Sequence, residues 1–233
     1  YKNISDYTFH NTLGSVLESM IFAFCSAQLN RDSCTFGAHV DHRLSYKGKP
    51  YAGLDMYEKP KDGATYVIVA DVARGTQNDY SAFVVFDVST VPYRIVAKYR
   101  NNEIKPLLFP NIIHDVAKAY NMAYVMVEVN DIGEQVATAL QFDLEYENLI
   151  MASMRGRAGQ IVGGGFSGGK AQLGVRTTKA VKKLGCSNLK QIIETEKLII
   201  NDYDLINEFS TFILKGQSFE AEEGHTDDLA MCC

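Results

Sequence analysis

Thr65-Tyr66-Val67-Ile68-Val69-Ala70-Asp71-Val72-Ala73 is a run of β-branched and apolar residues broken by a single acid. Such a run reads as a strand buried in a sheet. A carboxylate at its end is carried to the edge of the core, where burial costs several kcal/mol unless a cation or hydrogen bonds compensate it. Two further stretches repeat the theme. Tyr124-Val125-Met126-Val127 runs into Glu128, with Val129 and Asn130 following, and Gly224-His225-Thr226 leads to Asp227-Asp228 ahead of Leu229-Ala230-Met231.

Each acid has an ordinary explanation. An Asp at a strand end often forms a turn, and an Asp opening a helix caps it and complements its dipole. Glu128 fits neither, because the chain returns to an apolar residue directly after it. Asp227 and Asp228 are a pair where one cap suffices, which leaves the second free. Three converging carboxylates repel one another, and a divalent metal relieves that repulsion. Hard oxygen ligands suit Mg²⁺ or Mn²⁺. Two ions about 3.5–4 Å apart would activate a water and stabilise a leaving 3′ oxygen, with Asp71 as the bridging ligand. His225 lies near enough in sequence to assist or to orient a ligand, and Asp79 follows eight residues after Asp71.

At 233 residues the chain has room for one good core, or one domain plus an appendage. Hydrophobic content of 46% and charged content of 22% are those of a globular domain. The chain starts at Tyr1 and stops at Met231-Cys232-Cys233 within an apolar stretch, which reads as a piece of a longer protein with its last helix cut short. Five cysteines (25, 34, 186, 232 and 233) without CxxC spacing predict free thiols in a reducing compartment. No stretch reaches the roughly 18 apolar residues of a membrane span. The short apolar Ile21–Ala27 lacks the basic flank of a signal peptide.

Net charge is −5, so bulk electrostatics do not predict a protein that coats nucleic acid. The distribution says more. From Ser153 to Cys186 there are seven basic residues (Arg155, Arg157, Lys170, Arg176, Lys179, Lys182 and Lys183) and no acid. A basic patch beside an acidic metal centre is what phosphodiester hydrolysis requires, cations for phosphates and carboxylates for metals. The competing reading is a solvated loop and helix face. Gly164-Gly165-Phe166-Ser167-Gly168-Gly169-Lys170-Ala171 matches most of a P-loop, but Ala171 replaces the Ser/Thr that holds Mg²⁺, so it reads as a DNA-facing loop.

Residues 1–56 form a poorly legible segment or linker, with helical periodicity over His10–Leu29 and loop with short extended pieces over Asn30–Tyr57. From 57 to 233 one domain is predicted. Strands over Thr65–Ala73, Tyr80–Val88 and Arg94–Tyr99 make three antiparallel neighbours. A helix over Pro106–Tyr120, a strand over Ala123–Val129, a helix over Gly133–Leu144 and a short strand over Leu149–Ser153 follow. Then come a basic helix over Arg176–Gly185, a second helix over Asn188–Glu196, a brief strand over Leu198–Ile200, a helix over Leu205–Phe212 and an edge strand within Ile213–Phe219. This order resembles the ribonuclease H-like α/β fold, which implies a central mixed sheet, three antiparallel strands then parallel ones, flanked by helices, with the first strand central and carrying the first catalytic Asp.

With these residues assembled, the chain resembles the C-terminal nuclease domain of the large terminase subunit of tailed bacteriophages, myovirus type. The matching pieces are Asp71-Val-Ala-Arg-Gly75 with Asp79-Tyr80, Val127-Glu128-Val-Asn130, Leu144-Glu-Tyr146, Leu173-Gly174 through Val181-Lys-Lys-Leu-Gly-Cys186, and Ala221-Glu-Glu-Gly-His-Thr-Asp-Asp-Leu-Ala-Met231. The resemblance implies an endonuclease that cuts concatemeric viral double-stranded DNA during packaging. Its ligands map to Asp71, Glu128 and one of Asp227 or Asp228, and it implies Asp79 as a nearby auxiliary acid. The implied partners are DNA, the portal, the small terminase subunit and an ATPase domain of the same protein, in the host bacterial cytoplasm and away from membranes. Two other readings use the same residues: a RuvC-like resolvase or another RNase H-like nuclease, and a non-catalytic module that grips DNA or docks on the portal.

Overall fold

The computed structural model describes residues 45–46, 49–75, 79–153, 171–216 and 218–233. The expected helix over His10–Leu29, Arg155, Arg157, Lys170 and the glycine-rich stretch 163–169 lie outside them. In chain order the described elements begin with a short antiparallel pair, β1 (Ser45–Tyr46) and β2 (Lys49–Pro50). Then follow β3 (Leu54–Met56), β4 (Tyr66–Asp71), β5 (Ser81–Asp87), β6 (Tyr93–Asn101), α1 (Phe109–Ala119) and β7 (Tyr124–Val127). Next come α2 (Gly133–Thr138) continued by a π-helical turn (Ala139–Asp143), β8 (Met151–Ser153), β9 (Ala171–Leu173) and α3 (Lys179–Glu194). The chain closes with β10 (Leu198–Ile199), α4 (Tyr203–Ser210), β11 (Phe212–Lys215), β12 (Ser218–Ala221) and α5 (Asp228–Met231).

The main sheet runs β10-β6-β5-β4-β7, with β3 also paired to β6. β4, β5 and β6 are the antiparallel meander read from the sequence, and β7 joins β4 in parallel. β10 lies parallel to β6 along Tyr93 and Arg94, while β3 lies antiparallel along Ala97–Tyr99. Met56 of β3 is buried in the core, and Leu54 packs against it, although both precede the boundary expected at 57.

Strand periodicity divides the core in two. Tyr66, Ile68 and Ala70 of β4, with Val125 and Val127 of β7, face the layer of α1 and α2, where Ile113, Val116, Val136 and Leu140 cover them. Val69 points to the opposite face, whose core holds Ala82, Val84, Ile193, Leu205, Phe209 and Leu229 under α3, α4 and α5. Burying apolar area on both faces of β4 and β5 explains why these strands read as nearly continuous hydrophobic runs.

Four expectations are corrected. The two helices predicted over 176–185 and 188–196 are one, α3, capped by Thr178 Oγ1 accepting from Val181 N at 3.2 Å. Gly185 does not break it, because this glycine faces open space on the helix surface and costs only about 1 kcal/mol. The segment expected as a sheet edge instead folds back on itself as the β11–β12 hairpin, turning at Gly216 with φ +64°. The first helix begins at Phe109, where Pro110 in its opening turn needs no donor. The second ends in a π turn closed by Leu144 N–H on Ala139 O at 2.9 Å.

Charge also enters this core. Lys98 of β6 is 4% exposed. Its Nζ lies 2.8 Å from Asp202 Oδ2 and 3.7 Å from Asp55, and it also bonds Asp204. Tyr57 O–H donates to the same Asp202, whose other oxygen caps α4 at Leu205 N–H. This cluster, buried at Lys98 and Asp202, half-buried at Asp55 and exposed at Asp204, ties α4 to β6, and removing Lys98 would leave Asp202 a buried charge without its cation.

Two glycines let backbone approach the end of β7. Gly174 has φ +73°, and a Cβ there would stand 2.3 Å from Val127 O. A Cβ on Gly133 would stand 1.8 Å from Glu128 O. The start of α2 is therefore seated on the carbonyl of an acid-bearing residue. Gly133→Ala is expected to destabilise the domain by about 1–3 kcal/mol, as overpacking of a well-filled site does. A lower urea midpoint at unchanged slope checks this, and an unchanged midpoint would contradict the close approach.

Candidate metal centre

Parity decides where the acids point. β4 and β7 pair in parallel with Val67 opposite Tyr124, Val69 opposite Met126 and Ala70 opposite Val127. Carried one step further, that register sets Asp71 beside Glu128, and Glu128 N–H donates to Ala70 O at 2.8 Å. Both residues share a face with Val69 and Met126, so the two carboxylates leave the sheet side by side. The same face receives α5, which packs on β4 and β5 and brings Asp228.

The three acids sense one another. The Asp71 carboxyl is held well above the ordinary carboxylate range, first by burial, then by the charges of Glu128 and Asp228, and by a hydrogen bond with Glu128. The Val72 N–H works against this. Asp228 is pushed up to about 6, mainly by burial, with Asp227 and Asp79 adding and the Tyr80 N–H and Arg100 opposing. Its Oδ1 accepts from Tyr80 N at 3.3 Å, while Oδ2 is buried without a hydrogen-bond partner. Glu128 Oε1 accepts from Asn130 Nδ2 at 2.7 Å, and the same amide donates to Thr177 O at 3.0 Å.

The other residues predicted for the site separate from this group. Asp227 turns to α3, where its Oδ2 lies 3.4 Å from Lys182 Nζ. Asp79 and His225 are exposed. Arg176, Lys179 and Lys183 are exposed along the chain that leaves Val175, whose backbone is bridged to Glu128. Lys182 differs from them, since it is half-buried on Asp227 and lies 5.3 Å over the Phe212 ring. Its cation is paired with an acid, whereas Arg176, Lys179 and Lys183 are exposed.

Among the described residues, no three His, Cys, Asp or Glu side chains already stand in a metal-holding cluster. The donor chemistry nevertheless fits a hard divalent ion. Burial, and then the charges of Glu128 and Asp228, make ionisation of Asp71 costly, and Asp228 Oδ2 is a buried acceptor without a partner among the described residues. A bound cation resolves both.

Several members of this neighbourhood were not read from the sequence: Asn130, Tyr80, Arg100, Thr226 and Glu208. Glu208 left a signal, because it lies on the same face of α4 as the buried Leu205 and Phe209. It is buried, and burial lifts it to about 7, with the Ala230 N–H and Arg100 opposing. Beside Glu128 lies an apolar cavity of ≈ 170 Å³, bounded by Val69, Met126, Val181, Leu189, Phe209 and Met231.

A carboxyl whose folded-state pKa is raised is a net cost above that pKa, and the cost fades as pH falls and the group is protonated. Asp71→Asn is therefore expected to melt about 2–4 °C above wild type at pH 8 in EDTA, equivalent to roughly 1 kcal/mol for a chain of this size. The gap should narrow toward pH 5, and added Mn²⁺ should stabilise wild type but not the variant. Calorimetric melting across this pH range checks it, and a gap that widens with acid would refute the assignment.

Comparison with known proteins agrees with this geometry. Residues 68–232 match the family model described as Terminase RNaseH-like domain. The large terminase nuclease from thermophilic phage G20c, in its magnesium-bound crystal structure, is similar with TM-score 0.59 at 20% identity, covering 78% of this chain and 84% of that one. The Thermus phage P74-26 large terminase nuclease domain gives TM-score 0.56 at 18% identity, covering 78% of this chain and 82% of that one. The mixed sheet with its flanking helices is thus an RNase H-like terminase nuclease fold, and the chain belongs to the terminase RNase H-like domain family.

Proposed function

We propose that this domain is a metal-dependent endonuclease that cuts concatemeric viral double-stranded DNA during genome packaging. The observation that supports this best is the in-register pair Asp71 and Glu128, leaving one sheet face beneath Asp228. Family membership supports the nuclease role. Crystal structures of the phage G20c nuclease hold magnesium, cobalt or zinc. In our reading this chain takes Mg²⁺ or Mn²⁺, as two ions.

Asp71, Glu128 and Asp228 would hold the metal, with Asp227 available once Lys182 releases it. A divalent cation bound there supplies Lewis-acid chemistry, lowering the pKa of the attacking water and offsetting charge on the phosphate. The protein's part is orientation. Asn130 fixes the Glu128 carboxylate, the Tyr80 N–H fixes one Asp228 oxygen, and the Val72 N–H steadies Asp71. Asp79, exposed within the field of Asp228, serves as an auxiliary acid, and His225 lies in the turn before the Asp pair.

Substrate binding falls to exposed cations. Arg176, Lys179 and Lys183 follow directly on the strand bridged to Glu128, so phosphates held there would lie near the acids. Arg155, Arg157 and Lys170 extend this patch in our reading. The wider partners we propose are the portal, the small terminase subunit and an ATPase domain of the same protein, in the host cytoplasm.

Supercoiled plasmid incubated with Mg²⁺ or Mn²⁺ should be nicked and then linearised with little sequence preference, and EDTA should abolish this. Asp71→Asn and Glu128→Gln should each cost roughly 100-fold or more, since each removes several kcal/mol of charge stabilisation. Cutting that survives EDTA would sink the mechanism. Separately, neutralising Lys179 and Lys183 together should make DNA binding less salt-dependent, by roughly 0.9 in log–log slope per lost phosphate contact. An unchanged slope in a fluorescence-anisotropy titration would reduce these lysines to ordinary solvated surface.

A further inference from the structure

The helix that carries Asp228 is only four residues long, and Asp227 at its N-cap provides no side-chain cap. The first N–H groups of a helix have no partner within it. In α5 the N–H groups of Leu229 and Ala230 both donate to Glu208 Oε2, at 2.8 and 3.0 Å, across from α4. Glu208 is 3% exposed. Its other oxygen accepts from Thr226 Oγ1 at 3.1 Å and lies 3.4 Å from Arg100 Nη2. That same guanidinium nitrogen donates to Thr226 Oγ1 at 2.6 Å. The Arg100 guanidinium also stacks on the Tyr80 ring, 4.0 Å from its centroid, and the Tyr80 N–H holds Asp228 Oδ1. The contacts close into a ring: Glu208, the α5 backbone, Asp228, Tyr80, Arg100 and back to Glu208.

The two buried acids at this point differ in what they have left to offer. An ionised carboxylate has about four acceptor positions. Glu208 spends one oxygen on two backbone N–H groups and the other on the Thr226 hydroxyl, with the Arg100 guanidinium 3.4 Å from that second oxygen, so both of its oxygens are taken. Asp228 keeps Oδ2 buried and unpartnered. An acid with both oxygens taken is a clamp, and an acid with one open is a ligand.

We propose that Glu208 is the positioning residue of the metal centre: it holds the backbone of α5 so that Asp228 is presented with one oxygen fixed and the other free for the ion. The inference rests on the reading of Asp71, Glu128 and Asp228 as ligands. It goes beyond that reading by assigning a role to a carboxylate that does not touch the metal. Partners behind a ligand typically change metal affinity by about 10–100-fold when removed.

The test is Mn²⁺ titration by calorimetry on the 233-residue chain, with melting curves as the check on folding. Glu208→Asp keeps the charge but shortens the reach by one methylene, and should weaken Mn²⁺ binding about tenfold or more. Glu208→Gln keeps an oxygen that can accept both N–H groups but gives up the Arg100 ion pair and the acceptor for the Thr226 hydroxyl, and should weaken Mn²⁺ less than Glu208→Asp does. In an Asp228→Asn background, Glu208→Asp should cause no further loss, because the clamp then has nothing to present. Should Glu208→Asp fail to fold, Thr226→Val removes one support of the clamp and should weaken Mn²⁺ in the same direction, again only when Asp228 is present. Unchanged affinity in Glu208→Asp beside a weakened Asp228→Asn overturns this inference alone, as do losses that simply multiply. Unchanged affinity in Asp228→Asn overturns the metal-centre reading and this inference together.

Discussion

Like charge forced together out of water is the constraint around which this domain is arranged. Asp71, Glu128 and Asp228 meet at one end of the sheet, where burial and mutual repulsion make ionisation of Asp71 costly. An apolar cluster there would be cheaper to fold. The surrounding structure holds the acids in place against that cost: a backbone N–H on Asp71, an amide on Glu128, another backbone N–H on Asp228, and the Glu208 carboxylate under α5. The protein side chains leave the repulsion standing. In that sense the site is built for a partner of opposite charge, and the cost carried by the free protein becomes binding energy for a cation.

Much of this was legible because strand parity is a local property. The alternation in Tyr66–Asp71 and Tyr124–Glu128 fixes which residues share a face, and an acid inside an apolar run stands out. The antiparallel meander and the order of later elements followed from the same patterns. What stayed hidden was partner choice. Glu208 advertises its burial by sharing a helix face with Leu205 and Phe209, but no periodicity says that it reaches Leu229 and Ala230. Lys98 is placed on a strand that reads as core, and its three aspartates come from distant segments. Gly185 and the residues after it look like a helix stop, yet exposure on the outer face of α3 makes a glycine tolerable. The hairpin of β11 and β12 was mistaken for a sheet edge because a short amphipathic strand does not name its neighbour.

The charge layout also refines the basic stretch. Lys179 and Lys183 stand free on the outer face of α3, while Lys182, between them in sequence, turns inward to Asp227. One helix therefore presents cations to solvent and lends one to the acidic centre. That inward lysine pairs with Asp227, and it bounds the apolar cavity beside Glu128. Anything that draws Lys182 outward, such as a phosphate on the adjacent surface, would return a full negative charge to the site and favour cation uptake.

The register between β4 and β7 has a consequence for how such a chain can change length. Asp71 and Glu128 share a face because each lies an even number of residues from Val69 and Met126. One residue inserted within either strand would swing its acid into the layer packed by α1 and α2, among Ile113 and Val136. The connection over residues 102–108 tells another story: it sets no parity, so a change of length there leaves both acids on their shared face. Drift in length is thereby channelled into that loop, and the two strands are left as a fixed ruler.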